Sequence, residues 1–308
     1  MSELSAALED YLAIRRKLGF SLKLAGRLLP DFVEYVQRSG TTRVTTDLAL
    51  DWATQPTGAH PVWWRQRLGI VRCFARHLKT IDASTEVPPT DLLPGHRSRR
   101  TPFLYSDADI AGLLAAARAL SPAIRAVTYE TFIGLLSVTG LRLGEALGLD
   151  RSDVDLGERI LEIRHAKLDK PREVCLHDST VEALRIYARA RDQQWPHPEQ
   201  PSFFVSARGK RLGQSVVHRT FAQLVRDVGL VARGERCSPC PHDLRHSFAV
   251  STLAGWYRTG VDVEANLPLL STFLGHVDPA ATYWYLQAAP ELLGLVSQRL
   301  ETVLGVLP

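Results

Sequence analysis

The chain is short of cysteine and of long apolar runs, and it has no acidic cluster; each shortage excludes something. Four cysteines in 308 residues, Cys73, Cys175, Cys237 and Cys240, are too few and too scattered for a disulfide framework. Cys237 and Cys240 form a Cys-x-x-Cys in "RCSPCPHDLRH". No second ligand pair stands at zinc spacing, so the pair reads as a reduced loop and no metal or other cofactor is expected. The most apolar stretches, such as Phe132–Leu141, are too short to span a bilayer. The opening "MSELSAALEDYL" has early acidic residues and lacks the cationic-then-apolar pattern of a signal peptide. The expectation is a cytoplasmic protein with no membrane partner.

What is present is ordinary in bulk. The hydrophobic fraction is 45%, the charged fraction 23%, and the formal net charge +4. That mild basic excess permits a polyanionic partner without requiring one.

Residues 1–95 read as helices only. "LSAALEDYLAIRRKL" repeats apolar residues at helical spacing and stops at Gly19; a second such run stops at Gly40. "TTDLALDWATQ" opens on an N-cap candidate, Thr45 or Thr46. In "HPVWWRQRLGIVRCFARHLKTI", Arg65, Arg67, Arg72 and Arg76 interleave with apolar residues. One face can then be buried while a cationic face meets phosphates. Residues 96–104 follow as a linker, with Arg97, Arg99 and Arg100 placed to lie along a phosphate backbone or simply to be solvated.

From residue 105 the pattern changes. "SDADIAGLLAAARAL" is a helix capped by Ser106 with Asp109 three residues on. "AIRAVTYETFIGLLSVTGL" is a long, mostly apolar helix fit for the centre of a core. "ERILEIRHAKLDKPREVCLH" alternates apolar and polar residues on either side of a charged turn, which makes a β-hairpin. Helices resume and continue towards residue 308. The fold class is therefore mainly α, in two domains, the second mostly helical with a small antiparallel β-sheet.

Four local features could carry chemistry. "TGLRLGEALGL" places Arg142 and Glu145 three residues apart, within pairing distance on a helix. The hairpin turn projects Lys167, Lys170 and Arg172. "PHDLRHSFAV" places His242 and Arg245 on one helical face, where a forked donor and a titratable imidazole suit a phosphate. His246 lies a helical step around and reads as structural or supporting. "LGHVDPAATYWYL" offers His276, Tyr283 and Tyr285. Each feature alone also fits a surface salt bridge, a solvated turn or a helix cap. Together they fit metal-free phosphoryl transfer. Arginines would neutralise the spread charge of the transition state, and a tyrosine would form a covalent ester.

In order along the chain, "TGLRLGEALGL", "HAKLDKPREVCL", "HDLRH" and "LGHVDPAATYWY" resemble the motifs of the tyrosine recombinase (phage integrase) family. The likeness is strongest over residues 105–286; the N-terminal part is similar only in kind, as a small helical DNA-clamping domain. The resemblance implies that Arg142 and Arg245 grip the scissile phosphate and that Lys167 is the general acid. It implies that His242 assists proton transfer or hydrogen-bonds the phosphate, that His276 hydrogen-bonds the phosphate, and that Glu145 orients Arg142 or His242. Tyr285 would attack, leaving a 3′-phosphotyrosyl link and a free 5′-hydroxyl. Lys-Leu-Asp-Lys stands where family members often have glycine, and Cys175 replaces a usual proline; both departures bear on the hairpin's shape more than on its lysine.

Residues two apart on a helix face nearly opposite ways, so Tyr283 and Tyr285 cannot both face one phosphate. The resemblance selects Tyr285 by its interval from His276 and leaves Tyr283 as a packing residue. The implied activity is site-specific DNA recombination for integration, excision or transposition of a mobile element. Its partners would be double-stranded DNA sites, further copies of the chain (a tetramer in the synapse) and other recombinases of the same element. A segment from Pro290 would form a helix that docks on its own core or on a neighbouring protomer. A type IB topoisomerase-like nicking-closing enzyme and a catalytically inactive DNA-binding protein are the alternatives.

Overall fold

The structure is a computed structural model that describes residues 2–94, 101–164, 171–197, 199–232, 238–288 and residue 294. The chain divides into two compact units, residues 1–99 and 100–308.

Among the described residues, the first unit holds four helices: α1 (Glu3–Lys17), α2 (Lys23–Arg38), α3 (Thr46–Thr54) and α4 (Pro61–Leu78). Their apolar stripes close on a core that includes Leu29, Phe32, Trp52, Leu68, Val71 and Phe74. Thr45 caps α3 by accepting the Leu48 N–H, and Pro61 opens α4 where a missing N–H costs nothing. The expected cationic face of α4 needs correction at two positions. Arg67 is only 7% exposed. It donates from Nη2 to the Trp52 carbonyl at 2.8 Å, and its guanidinium lies 3.7 Å from the Trp52 ring centroid. A buried guanidinium needs an acceptor, and Arg67 has the Trp52 carbonyl, inside the unit. Arg72 is half-buried and donates to the Pro88 and Pro89 carbonyls, so its fork ties α4 to the chain that follows. Arg65 is half-buried and Arg76 is exposed.

The second unit contains α5 (Asp107–Arg118), α6 (Ala123–Thr139), α7 (Leu143–Gly148), β1 (Val154–Asp155), β2 (Ile160–Ile163), β3 (Arg172–Cys175), α8 (Asp178–Gln194), α9 (Gln214–Asp227), α10 (Asp243–Thr259), α11 (Val263–Leu274) and α12 (Ala280–Ala288). The predicted capping box of Ser106 and Asp109 is present at α5. Apolar around most of its circumference, α6 is buried along its length, with Phe132, Ile133 and Leu136 in the core. The strands form an antiparallel sheet in the order β1-β2-β3, with Leu161 opposite Val174 and Ile163 opposite Arg172. The hairpin was legible from alternation; β1 was not, because two residues carry no period.

The expected linker, 96–104, is too long at its C-terminal end. Phe103 is buried, its ring centroid 4.9 Å from that of Tyr105, because an aromatic of that size belongs in the core. A second apolar cluster joins α10, α11 and α12 through Leu253, Leu267, Leu274 and Tyr285. No helix among the described residues is long and apolar enough to cross a membrane.

Candidate active site

The site is built on the C-terminal end of α11. The last carbonyls of a helix have no partner within it and carry the negative end of its dipole. Here three consecutive carbonyls are each taken by a different arginine. Phe273 O accepts from Arg172 Nε at 2.9 Å, Leu274 O from Arg245 Nη2 at 2.7 Å, and Gly275 O from Arg142 Nη2 at 2.6 Å. Gly275 ends the helix in the left-handed region (φ 67°), which glycine adopts without strain. A Cβ there would lie 2.6 Å from Arg172 Nη1.

Each arginine arrives on a different element. Arg142 is the N-cap of α7, and Glu145, three residues on, accepts both its backbone N–H (2.9 Å) and its Nη1 (2.7 Å). Arg172 opens β3 and donates to both Glu145 oxygens, at 3.0 and 2.8 Å. Arg245, in the first turn of α10, is 2% exposed and bridges Leu274 O to Gly140 O, the latter at 2.7 Å. Gly140 permits this because it turns at φ 59°, where a Cβ would meet Phe248 at 2.6 Å.

Burial acts against every charge in this cluster. It pushes the Glu145 carboxyl up, but hydrogen bonds from Arg172 and Arg142 outweigh it and hold that carboxyl below the usual range. Burial brings the Arg245 guanidinium down to about 10; Tyr285 offsets part of this, and Arg142 lowers it further. Arg245 is thus cationic at neutral pH and lies within electrostatic reach of the Tyr285 hydroxyl. His242 is held below the ordinary imidazole value by the surrounding protein and then by Arg245 and Arg142. Three guanidiniums face one carboxylate, an excess of positive charge suited to an anion with several oxygens.

The tyrosines separate as helical geometry requires. Tyr285 is 2% exposed and Tyr283 is 53% exposed. Tyr283 is on the opposite face, but it is a solvent-facing residue rather than the packing residue expected. The Tyr285 ring lies 6.1 Å from the His276 ring, nearly parallel to it, and 5.5 Å from the His246 ring. His246 in turn meets the edge of the His242 ring at 4.8 Å. The His276 Nδ1 is 2.6 Å from the hydroxyl of Thr282, which is buried in the same helix as Tyr285.

Arg142, Glu145, Arg245, His276 and Tyr285 are therefore gathered around the end of α11, with His242 at the start of α10. Lys167 and Lys170, and Arg97, Arg99 and Arg100, lie outside the described residues. Arg172 requires correction: it was expected to project from the hairpin towards DNA, but its side chain is 9% exposed and turned onto Glu145. Its physical reason is the pair of acceptors, a buried carboxylate and a helix end, that outcompete solvent for the fork. Thr282 escaped the sequence reading. Its only signal was a polar residue one helical turn before Tyr285. Cys240 is half-buried, and burial with the neighbouring Asp243 carboxylate pushes its thiol up to about 11. Cys237 lies outside the described residues.

Residues 105–291 match the Phage integrase family. The chain belongs to this family, that of the tyrosine recombinases. It is 44% identical over 307 residues to "Putative integrase/recombinase y4rB" of Sinorhizobium fredii, covering 98% of both chains. It is 28% identical over 282 residues to tyrosine recombinase XerD of Caulobacter vibrioides, covering 90% of this chain and 89% of that one. Among solved structures it resembles the Tn1549 transposon integrase in complex with transposon right end DNA. That match has a TM-score of 0.66, 16% identity, and covers 96% of this chain and 99% of the other. At that identity the likeness speaks for the fold, which this family member shares in being mostly helical with a small antiparallel sheet.

Proposed function

We propose that this tyrosine recombinase cuts and rejoins DNA at specific sites with Tyr285 as its nucleophile. The observation that carries the reading is the placement of Tyr285: it is buried, with its ring 6.1 Å from and nearly parallel to the His276 ring and 5.5 Å from the His246 ring. Tyr283 faces solvent instead.

The geometry supports the following sequence. A scissile phosphate settles against Arg142 and Arg245, whose forks have donors beyond those given to carbonyls and Glu145. An isolated tyrosine has a pKa of about 10, so the Tyr285 proton must pass to a base as the oxygen attacks, a role for the neutral His242 imidazole or for water. The Tyr285 oxygen bonds to phosphorus and the bond from phosphorus to the 5′-oxygen breaks. That oxygen takes up a proton, a role for Lys167, and leaves as a hydroxyl, while DNA stays attached through a 3′-phosphotyrosyl ester. His276 and neutral His242 hydrogen-bond the phosphoryl oxygens. One ester replaces another, so a 5′-hydroxyl from the same or a second duplex can reverse the step, and rejoining needs no nucleotide. Arg65 and Arg76 of the first unit, with Arg97, Arg99, Arg100 and Lys170, supply phosphate contacts outside the site. Two duplex sites, four copies of the chain and recombinases of the same mobile element complete the assembly. Its outcome is integration, excision or transposition.

The test uses nicked suicide duplexes drawn from the DNA flanking the gene. Wild type and Tyr283→Phe should trap covalent protein–DNA complexes, and Tyr285→Phe should trap none. Trapping by Tyr285→Phe, with loss in Tyr283→Phe, would sink the assignment.

A further inference from the structure

Arg172 is absent from the phosphate contacts just described, yet it touches both structures on which they depend. Its planar fork meets both oxygens of Glu145, at 3.0 and 2.8 Å, and its Nε reaches the Phe273 carbonyl at 2.9 Å. Glu145 uses its remaining acceptor capacity on the backbone N–H and Nη1 of Arg142. One buried carboxylate thus stands between two guanidiniums, the first facing protein and the second facing the candidate phosphate position. The Phe273 carbonyl belongs to the helix end from which Gly275 and His276 emerge.

We propose that Arg172 is a positioning residue that clamps Glu145 to the end of α11 and so fixes the directions in which Arg142 and His276 meet the phosphate. The proposal rests on the tyrosine-transfer reading above. Three observations argue that the clamp is built and not incidental. The bidentate geometry is one that only arginine supplies, because a lysine ammonium cannot match both carboxylate oxygens and a carbonyl at once. Arg172 is held at its backbone by the sheet, opposite Ile163, so its side chain starts from a fixed place. Gly275 leaves the space that the guanidinium fills: a Cβ at 275 would sit 2.6 and 2.7 Å from Nη1 and Cζ. Without Arg172, Glu145 would be a buried carboxylate with one partner. It would then swing towards Arg142 or take up a proton, and in either case the direction of the Arg142 fork would be lost. A misplacement of about 1 Å is enough to cost on the order of a hundredfold in rate.

The test compares Arg172→Met, Arg172→Lys, Glu145→Gln and the Arg172→Met/Glu145→Gln pair on the suicide duplex that wild type cleaves. Single-turnover cleavage at saturating DNA is read beside DNA affinity across a salt series. Arg172→Met should slow cleavage about a hundredfold, change affinity less than about threefold, and leave the salt slope of binding unaltered. Arg172→Lys, which keeps charge and length without the fork, should recover only part of the rate and serves where the methionine variant fails to fold. Glu145→Gln should add little to Arg172→Met, because both break one linkage. The proposal is overturned if cleavage at saturation is unchanged, if the salt slope falls by about one as for a phosphate contact, or if the two substitutions add in full. Failure of wild type to form any Tyr285 adduct would count against the functional reading instead. The clamp is then judged in DNA-free protein, from rotation of the Arg142 guanidinium in nitrogen-15 spectra. Rotation hindered in wild type and freed in Arg172→Met supports the clamp; identical rotation in both refutes it.

Discussion

The Thr282 hydroxyl lies 2.6 Å from Nδ1 of His276, so the helix that carries Tyr285 also holds the histidine beside it. Thr282 is fully buried and His276 is half-buried, and losing such a hydrogen bond costs about 1 kcal/mol. This bond holds the imidazole in one orientation beside Tyr285. Thr282→Val keeps the shape and removes the bond. It should slow single-turnover cleavage about tenfold, whereas Thr282→Ser should stay near wild type. Equal rates for the two variants would separate His276 from Thr282.

Glu145 makes a prediction about stability. Its carboxyl is held below the ordinary range by Arg172 and Arg142 despite burial. A lowered carboxylate pKa contributes stability that is present at neutral pH and lost as pH falls through the folded-state value. Glu145→Gln should therefore destabilise by about 3 kcal/mol at pH 7, as for one partner removed from a buried ion pair. The gap to wild type should close on acidification below the ordinary carboxylate range. Urea unfolding of both proteins across pH measures it; a gap independent of pH would show that Glu145 is not ionised in the fold.

His242 should behave in the opposite sense to a stabilised cation. Surrounding protein, then Arg245 and Arg142, keep its pKa below the ordinary imidazole value. The unfolded chain then takes up this proton more readily, so wild type should lose stability relative to His242→Gln as pH falls below that ordinary value. The same protonation should give cleavage an acid limb placed below the ordinary histidine range, and His242→Gln should lack it. Rate profiles of matching shape would refute this.

Gly275→Ala places a methyl in a left-handed conformation and against Arg172. The backbone alone costs roughly 1–2 kcal/mol. Thermal unfolding should show at least that loss, and cleavage should fall further than Arg172→Lys causes. A variant as stable and active as wild type would mean that Arg172 has other room.

The sequence carried the helices of both units through their apolar period and caps, and the hairpin through its alternation. It also carried the pairing of Arg142 with Glu145, because three residues is a helical contact distance. It did not carry the fate of individual arginines. Arg67, Arg72 and Arg172 read as cationic surface, and each is turned inward by an acceptor far along the chain: the Trp52 carbonyl, the Pro88 and Pro89 carbonyls, and Glu145 with Phe273. Local spacing contains no trace of such partners. Thr282 was lost for the same reason, since its role is defined by a turn that folds His276 back over it. The convergence of three arginines on one helix end is likewise a property of packing and of two left-handed glycines.

The most direct measurement is the chemical location of the DNA adduct. Wild type trapped on a suicide duplex from the flanks of its gene is digested and fragmented by mass spectrometry. Tyr283 and Tyr285 fall in one tryptic peptide, between Arg258 and Arg299, so fragment ions must separate them. The account predicts a nucleotide remnant on Tyr285, attached through a 3′-phosphate. A remnant on Tyr283, on another residue, or on a 5′-phosphate would contradict it.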